Sequence, residues 1–283
     1  MSKSIHYYGL YRLKIEIKNL IKQTLKINPK PTRDTDYINE IYERIRKEKF
    51  EKLNTFSNPN DYFFDVPDTH TDGRTRYSLL NNKLVQGKTN QVKFKILEII
   101  EGIMENTSCD SVIELGSGDG KNLLWFASKY SNIKFIGLEL NKTSVDLAKK
   151  AAKKFGINNL EFYECDLTNT EDYKNFLTKK TFVYSHHTFE EMPRIYKIPL
   201  NEIKKSDVQV VALLEPIFMF KFSRLFLDLA KRLRILNKDR LIGLKKFSKR
   251  KLSKYFNIKL VDLGLGAKPE NPTTLLLLKR KQF

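Results

Sequence analysis

One short run of the chain, Val112–Phe126 (VIELGSGDGKNLLWF), combines an apolar strand, a glycine-rich turn and the start of a helix. Because Gly116, Gly118 and Gly120 lack a Cβ, the turn can be tight and its backbone N–H groups can approach a ligand closely. A dinucleotide fingerprint would have its last glycine three positions after Gly118, where Lys121 stands, so the spacing disfavours NAD. Taken alone, the three glycines also suit an ordinary loop.

The run resembles the first motif of the class I methyltransferases, which use S-adenosylmethionine and carry an acidic residue followed by Gly-x-Gly-x-Gly. Glu114, Gly116, Ser117, Gly118 and Gly120 occupy the positions of that motif. The resemblance extends over residues 89–280. It implies that S-adenosylmethionine is the cofactor and that its methionine end lies at the glycine turn.

The resemblance implies two further cofactor-binding acids at strand ends. Glu139, in FIGLEL, would accept hydrogen bonds from both ribose hydroxyls, because its two oxygens can serve two donors. Asp166, in YECD, would accept from the adenine amino group. Each acid also has a purely structural interpretation: a strand-edge carboxylate for Glu114, a neighbour of a helix N-cap for Glu139, and the cap of a helix starting near Thr170 for Asp166.

The segment YSHHTFEEMP follows the predicted fourth strand, where a doubly wound sheet opens its ligand crevice. His186 and His187 lie there, and a neutral imidazole can take a hydroxyl proton as a methyl group arrives. Consecutive strand residues point to opposite faces, so one histidine should reach the acceptor, and we expect it to be His187. Glu190 and Glu191 could orient this histidine or, as a less favoured alternative, bind a divalent ion with it. Alternatively, one histidine packs under the sheet and the other caps a helix starting near Glu190. No metal-ligand set is assigned.

This segment favours oxygen methylation. It lacks the Asn/Asp-Pro-Pro-aromatic motif of enzymes that methylate amino groups of bases. Methylation of a base carbon would need a nucleophilic cysteine at the crevice, but Cys109 and Cys165 precede or belong to other strands. The phrases HTFEEMP, LLEPIF and NPTTLLLLKRK are similar to sugar O-methyltransferases of bacterial surface-glycan pathways, which implies a sugar hydroxyl in a glycan as the acceptor. An RNA methyltransferase and a noncatalytic partner with this fold remain open.

The elements around these residues alternate as in βαβ units. They predict an α/β fold with a doubly wound, mostly parallel seven-stranded sheet that ends in an antiparallel hairpin. We expect a helical cap and lid segment at residues 1–88, with helices over 10–27 and 36–52, and a methyltransferase domain at residues 89–283, beginning with a helix over 92–104. The predicted strands are Ser111–Leu115, Lys134–Leu140, Leu160–Cys165, Thr181–Ser185, Val208–Glu215, Ile258–Leu265 and Thr273–Lys279.

The net charge of +19 is unevenly distributed, because residues 221–283 carry 18 basic and 4 acidic side chains. This favours an anionic partner, such as a phosphate- or lipid-linked glycan, an anionic membrane surface or, less favoured, nucleic acid. Residues 218–236 could lie on such a surface as an amphipathic helix, with Lys231 among its basic residues, or could simply cover the sheet. Without a long apolar stretch or a signal-peptide core, we expect a soluble, cytoplasmic protein that can contact the inner face of the membrane.

Overall fold

A seven-stranded sheet forms the centre of the computed structural model, which describes residues 3–24, 46–65, 75–192, 195–219, 225–237, 241 and 243–282. Its strands stand in the order β5-β4-β3-β6-β7-β9-β8. Strands β3 to β7 pair in parallel, whereas β9 pairs antiparallel with both β7 and β8. This confirms the predicted doubly wound sheet and its terminal antiparallel hairpin. The strands are β3 Ser111–Leu115, β4 Lys134–Glu139, β5 Leu160–Glu164, β6 Thr181–His186, β7 Val210–Glu215, β8 Phe256–Leu265 and β9 Thr273–Arg280.

Helices cover both faces of this sheet because its strands are apolar on both sides. Along β3, Val112 packs into one core cluster, whereas Ile113 and Leu115 pack into the other. The helices that cover the first face are α3, α4 and α5, and α6 covers the second. The helices, in chain order, are α1 Lys3–Thr24, α2 Pro59–Phe63, α3 Thr89–Glu105, α4 Lys121–Ala127, α5 Lys142–Lys154, α6 Lys197–Lys205, α7 Leu225–Asn237 and α8 Leu244–Phe247.

Several predicted helices differ from those in the structure. The helix over 10–27 is α1, which begins earlier, and 92–104 lies within α3. Of the helix predicted over 36–52, residues 46–52 are helical and the remainder lies outside the described residues. The helices expected near Thr170 and Glu190 are single 3₁₀ turns, Thr170–Asp172 and Phe189–Glu191.

A hairpin that the sequence analysis missed lies in the predicted lid segment. Strands β1 (Tyr77–Leu80) and β2 (Lys83–Gln86) pair antiparallel around Asn81 and Asn82. Both asparagines have positive φ, 51° and 63°, as a two-residue turn of the primed type requires. Leu79 bridges to Gly266 just after β8, which attaches the hairpin to the sheet. Residues 66–74 of the same segment lie outside the described residues.

Helix α7 packs against α1, so the C-terminal half of the chain contacts its N-terminal helix. Lys231 of α7 is only 1% exposed, and its ammonium donates to the backbone carbonyls of Ile217 and Pro272 at 2.9 and 3.1 Å. Of the two alternatives for residues 218–236, Lys231 thus fits a helix that packs against the protein and not one that turns this lysine to an anionic surface. In the described ranges, no helix is both long enough and apolar enough to cross a bilayer.

Candidate active site

The glycine turn joins β3 to α4 and is anchored to the neighbouring strand. The backbone N–H groups of Gly116 and Ser117 donate to the carbonyl of Leu138 at 2.8 and 3.0 Å. Gly116 and Gly120 have φ of 71° and 72°, and an added Cβ would lie 2.2 Å from Thr188 and 2.4 Å from Phe162, respectively. These two glycines are therefore required by the packing of the protein itself.

The two acids predicted to bind the nucleoside lie at the carboxyl ends of adjacent parallel strands. Glu139, at the end of β4, accepts from the backbone N–H of Gly118 at 2.9 Å through Oε2 and from that of Asn141 at 2.9 Å through Oε1. Asp166 follows β5, is exposed, and accepts from both the backbone N–H and the hydroxyl of Thr168 at 2.8 Å. The fold thus brings Glu139, Asp166 and the turn to one edge of the sheet.

Glu114 lies beneath the turn and is 1% exposed. Its Oε1 accepts from Asn122 at 2.8 Å, and the buried hydroxyl of Tyr184 also interacts with this carboxyl group. Burial raises the pKa of Glu114 to about 8. Ser117 Oγ is buried without a partner among the residues that the structure describes. Such an atom is costly to bury unpaired, so a polar ligand at the turn would stabilise it.

A cavity of about 500 Å³ opens beside the turn. Helical residues 46–52, the start of α3 and the start of α4 form its walls, so the N-terminal segment and the sheet domain build it together. Charged side chains predominate in its lining. The lining residues are Arg46, Glu48, Lys49, Lys52, Asp65, Lys93, Ser117, Asp119, Lys121, Asn122 and His186.

Asp119, in the glycine turn, is a site residue that the sequence analysis missed. It accepts from Arg46 at 2.9 Å and from Lys49 at 2.7 Å. Burial alone would raise the pKa of Asp119, but Arg46, Lys49 and Lys121 together hold it well below the usual range of a carboxyl. The signal available in the sequence was its position between Gly118 and Gly120, but its partners lie some seventy residues away.

His186, not His187, lines the cavity. Strand β6 continues to His186, and His187 then adopts a left-handed backbone with φ of 58°, so strand alternation does not extend to it. Burial lowers the pKa of His186 to about 3, with His187 and Lys93 adding to the effect. The cavity lining therefore favours His186 over the expected His187 as the histidine that faces an acceptor, and the alternation of side chains used for that expectation ends at His186.

His187 belongs to a buried network behind the cavity. Its Nδ1 donates to Glu190 at 2.8 Å, and its Nε2 lies 2.9 Å from the hydroxyl of Thr273. Although burial would lower the pKa of His187, the hydrogen bond and charge of Glu190 raise it above the ordinary value. Asn271 also donates to both oxygens of Glu190 at 3.2 Å. Glu190 therefore orients His187 and not the histidine of the cavity.

Glu215, at the end of β7, belongs to the same hydrogen-bond network. It accepts from Ser185 Oγ at 2.8 Å and from the backbone N–H groups of Thr188, Phe189 and Glu190 at 3.0 to 3.2 Å. Burial raises its pKa to about 7. These bonds fix the turn that follows β6, and therefore the position of His186 at the end of that strand.

Comparison with known proteins identifies the central part of the chain. The family model described as "Methyltransferase domain" matches residues 106–211, which contain the glycine turn, Glu139, Asp166 and both histidines. This stretch of the chain is therefore a methyltransferase domain. The structure resembles that of magnesium protoporphyrin IX methyltransferase from Synechocystis PCC 6803, with a TM-score of 0.51 and 12% identity over 85% of this chain and all of that one. At this identity the likeness shows the fold alone.

Curated relatives match shorter stretches of the chain. An uncharacterized protein of Rickettsia prowazekii is 30% identical over 113 residues, which is 38% of this chain and 19% of the relative. A tRNA (guanine-N(7)-)-methyltransferase of Pediococcus pentosaceus is 39% identical over 61 residues, 22% of this chain and 29% of the relative. The chain thus spans less than a third of the length of these relatives.

The residues at the turn fit S-adenosylmethionine, the methyl donor of this class of domain. Ser117 Oγ, which has no partner among the described residues, offers a polar atom at the turn. Glu139 offers a carboxylate beside Gly118, and Asp166 offers another at the next strand end. Over Gly118, an added Cβ would meet only the Arg46 side chain, at 3.4 Å, so the surface of the turn is approachable there.

Proposed function

We propose that the protein transfers the methyl group of S-adenosylmethionine to a hydroxyl oxygen of a sugar or glycan. The observation that carries this proposal is the position of His186 on the cavity that begins at the glycine turn. With a pKa of about 3, the imidazole is neutral at physiological pH and has a free electron pair for a proton. A hydroxyl acceptor must lose a proton as it is methylated. A neutral imidazole can accept that proton.

The chain's own residues divide the work between binding and proton transfer. Glu139 and Asp166 would hold the ribose and adenine, and the turn would hold the methionine end. When bound, the cofactor supplies a methyl group on a positively charged sulfur. A ring nitrogen of His186 would accept the proton that the acceptor hydroxyl loses as it takes up the methyl group. Positioning and exclusion of water supply the remainder of the rate.

The sugar acceptor is supported by the three phrases that resemble sugar O-methyltransferases. Glu190 comes from the first phrase, Glu215 from the second, and Asn271 and Thr273 from the third. All four belong to the network around His187. The three phrases are far apart in the sequence, but their residues meet in one hydrogen-bonded network next to His186. The similarity therefore concerns residues that support the acceptor side of the site.

A labelling experiment tests this function. The protein is incubated with S-adenosylmethionine carrying a deuterated methyl group and with glycan, glycolipid and RNA fractions of the source cells. We expect labelled O-methyl sugars after acid hydrolysis of the glycan fractions, and none with Glu139→Ala. Formation of no S-adenosylhomocysteine with any fraction would contradict the enzymatic function and leave a noncatalytic partner.

RNA methylation is the second candidate, because one relative that shares 39% identity over 61 residues is named a tRNA methyltransferase. Lys245, Lys246, Lys249 and Arg250 are also exposed on consecutive turns, where they could contact phosphates. Labelled nucleosides after nuclease digestion, without labelled sugars, would establish this candidate in place of the sugar.

A further inference from the structure

Helix α1 exposes a large share of the apolar and aromatic surface of the protein. Of the twelve large hydrophobic side chains that the described residues expose, five lie on this one helix. Tyr7 and Tyr11 are 68% and 59% exposed, and Ile17 and Ile21 are 43% and 52% exposed. Single exposed hydrophobic residues are common on proteins, but a group of them on one element marks a surface that contacts a membrane or a partner.

Most of these side chains share one face of the helix with two lysines. Tyr7, Tyr11, Lys14, Lys18 and Ile21 follow one another in steps of three or four residues, so they form a continuous stripe along α1. All five side chains are exposed. We call these five residues the outer stripe, and Ile17 lies beside it.

The opposite face of α1 is packed tightly against the protein. At Gly9, an added Cβ would lie 2.6 Å from the backbone nitrogen of Leu227 in α7, so the two helices are in backbone contact. Ile5, which is 4% exposed, packs against Leu227 in the same cluster. Because this face is closed, the outer stripe is fixed on the outside of the molecule.

Two polar contacts also fix the rotation of α1 about its axis. The hydroxyl of Tyr8 donates to Glu270 at 3.0 Å, and the guanidinium of Arg12 pairs with the same carboxylate at 3.0 Å. The next residue, Asn271, donates to Glu190 in the network around His187. The outer stripe therefore has a defined orientation relative to the acceptor side of the candidate active site.

The outer stripe is positively charged. The one acidic residue of α1, Glu16, lies on the packed side, is 3% exposed and pairs with Arg12. Neither Lys14 nor Lys18 pairs with a carboxylate of the described residues. A partner of this surface must therefore accept ammonium groups and apolar side chains at the same time.

A membrane with anionic lipids meets both requirements. Tyrosine rings lie preferentially at the level of the lipid headgroups, because one end of the ring is apolar and the other can form hydrogen bonds. Lysine places its ammonium at the lipid phosphates while its stem covers apolar surface. Ile17 and Ile21 would reach the boundary of the acyl chains. A helix with this distribution binds in the plane of the interface.

A second copy of the chain fits the outer stripe less well. A contact between identical faces related by a two-fold axis brings the same residues of the two copies together. Lys14 and Lys18 would then lie against Lys14 and Lys18 of the other copy, with no acidic side chain in the stripe to separate them. The charge of the stripe therefore favours a lipid surface over self-association.

We propose that the outer stripe of α1 lies in the headgroup region of an anionic membrane and attaches the protein to it peripherally. This inference goes beyond methyl transfer and does not depend on which acceptor is methylated. Peripheral attachment becomes stable when two elements contribute, and the exposed basic residues around α8, Lys245, Lys246, Lys249 and Arg250, supply a second attraction. The apolar part of the contact belongs to α1.

Flotation of the full chain with lipid vesicles tests the proposal. We expect the wild type to float with vesicles of phosphatidylcholine and phosphatidylglycerol in equal parts, and not with phosphatidylcholine alone. Tyr11→Ser combined with Ile21→Ser should bind at least about tenfold more weakly, because two apolar contacts are lost. The matched control is Tyr255→Ser combined with Ile198→Ser, since these residues are 39% and 37% exposed outside α1. The control should bind like the wild type.

Two further variants separate the roles of the stripe. Lys14→Gln combined with Lys18→Gln should also weaken binding to the anionic vesicles, because it removes the charge at the lipid phosphates. In Tyr11→Trp, the emission of the introduced indole should shift to shorter wavelength when anionic vesicles are added. Trp125, the tryptophan of the natural chain, is 4% exposed and supplies a constant background. Melting temperatures within a few degrees of the wild type verify that each variant is folded.

Three outcomes would overturn the proposal. The first is that the wild type does not float with either kind of vesicle, and the second is that the α1 variants bind as well as the control. The third is a concentration-dependent dimer in the absence of lipid that Tyr11→Ser combined with Ile21→Ser abolishes, which would assign the stripe to a second copy. None of these measurements requires methyl transfer, so they are independent of the outcome for the proposed function.

Discussion

The guanidinium of Arg46 lies 2.9 Å from the carboxylate of Asp119, and both side chains are nearly buried, with 11% and 12% exposed. The same guanidinium donates to Ser144 Oγ at 3.2 Å, near the start of α5. Arg46 therefore joins the N-terminal segment to the two elements that follow β3 and β4, directly over Gly118. An ion pair thus holds the N-terminal segment over the glycine turn, and a single substitution can remove this ion pair.

Asp119→Asn should destabilise the protein by about 3 kcal/mol, because it leaves the nearly buried Arg46 and the partly exposed Lys49 facing a neutral group. Urea unfolding measures this change. Glu161→Gln is the control: Glu161 pairs with Lys134 at 2.9 Å, but both side chains are about half exposed, so its loss should cost less than about 1 kcal/mol. Equal effects in the two variants would show that the Asp119 cluster contributes no more than a surface ion pair.

Glu114 should make stability depend on pH in a defined direction. Its pKa is raised from 4.5 to about 8 by burial. A carboxyl with a raised pKa in the folded state is protonated in both states at low pH, and the folded state loses stability as pH rises from the unfolded value through the folded one. The wild type should therefore lose stability relative to Glu114→Gln between about pH 4.5 and 8.

The difference between the two proteins isolates Glu114 from Glu215, whose pKa is also raised, to about 7, and whose effect has the same sign in both. Denaturant unfolding at several pH values supplies the curves. A difference that is constant with pH would mean that Glu114 is ionised throughout this range.

Glu139→Ala should weaken binding of S-adenosylhomocysteine by on the order of 100-fold or more, because two hydrogen bonds to an ionised group are lost. Isothermal titration calorimetry measures this affinity. Glu161→Ala, at the opposite end of the neighbouring strand, should bind like the wild type. Because Glu139 also accepts from Gly118, the melting temperature is compared as well. Unchanged affinity in a folded Glu139→Ala protein would refute the ribose assignment.

The sheet could be predicted from the sequence because its determinants are local. Apolar runs of five to eight residues predicted β3 to β7 to within two residues at each end. The glycine turn was recognisable for the same reason, since Gly116 and Gly120 are needed where a strand must pass directly into a helix.

Several side-chain contacts could not be predicted, because they join residues that are far apart in the sequence. Asp119 meets Arg46 and Lys49 only after the N-terminal segment folds over the turn. The burial of Lys231 depends on the carbonyls of Ile217 and Pro272, which no helical pattern reveals. The choice between His186 and His187 could not rest on strand alternation, because His187 has a left-handed backbone and bonds to Glu190, which ends the alternation.

The exposed basic residues after α7 should bind an anionic surface without contributing to the fold. Lys245, Lys246, Lys249 and Arg250 are exposed around α8 and the turn that follows it. Replacing all four with Glu should leave the melting temperature within a few degrees and abolish co-sedimentation with vesicles of anionic lipid at low salt. Binding of the wild type should weaken as salt is added, because screening shortens the range of the attraction. Salt-insensitive binding by both proteins would exclude an electrostatic surface.

The two histidines should respond differently to substitution. His186→Ala should lower turnover by roughly 10²–10⁴ while leaving the melting temperature and the affinity for S-adenosylhomocysteine nearly unchanged, because its imidazole faces the cavity. His187→Ala should instead lower the melting temperature, because it leaves Glu190 and Thr273 without their buried partner. Single-turnover rates with the labelled acceptor fraction and thermal unfolding provide the two readouts. A large loss of turnover in a stable His187→Ala protein, with His186→Ala near wild type, would return the base to His187 and require the network to open during catalysis.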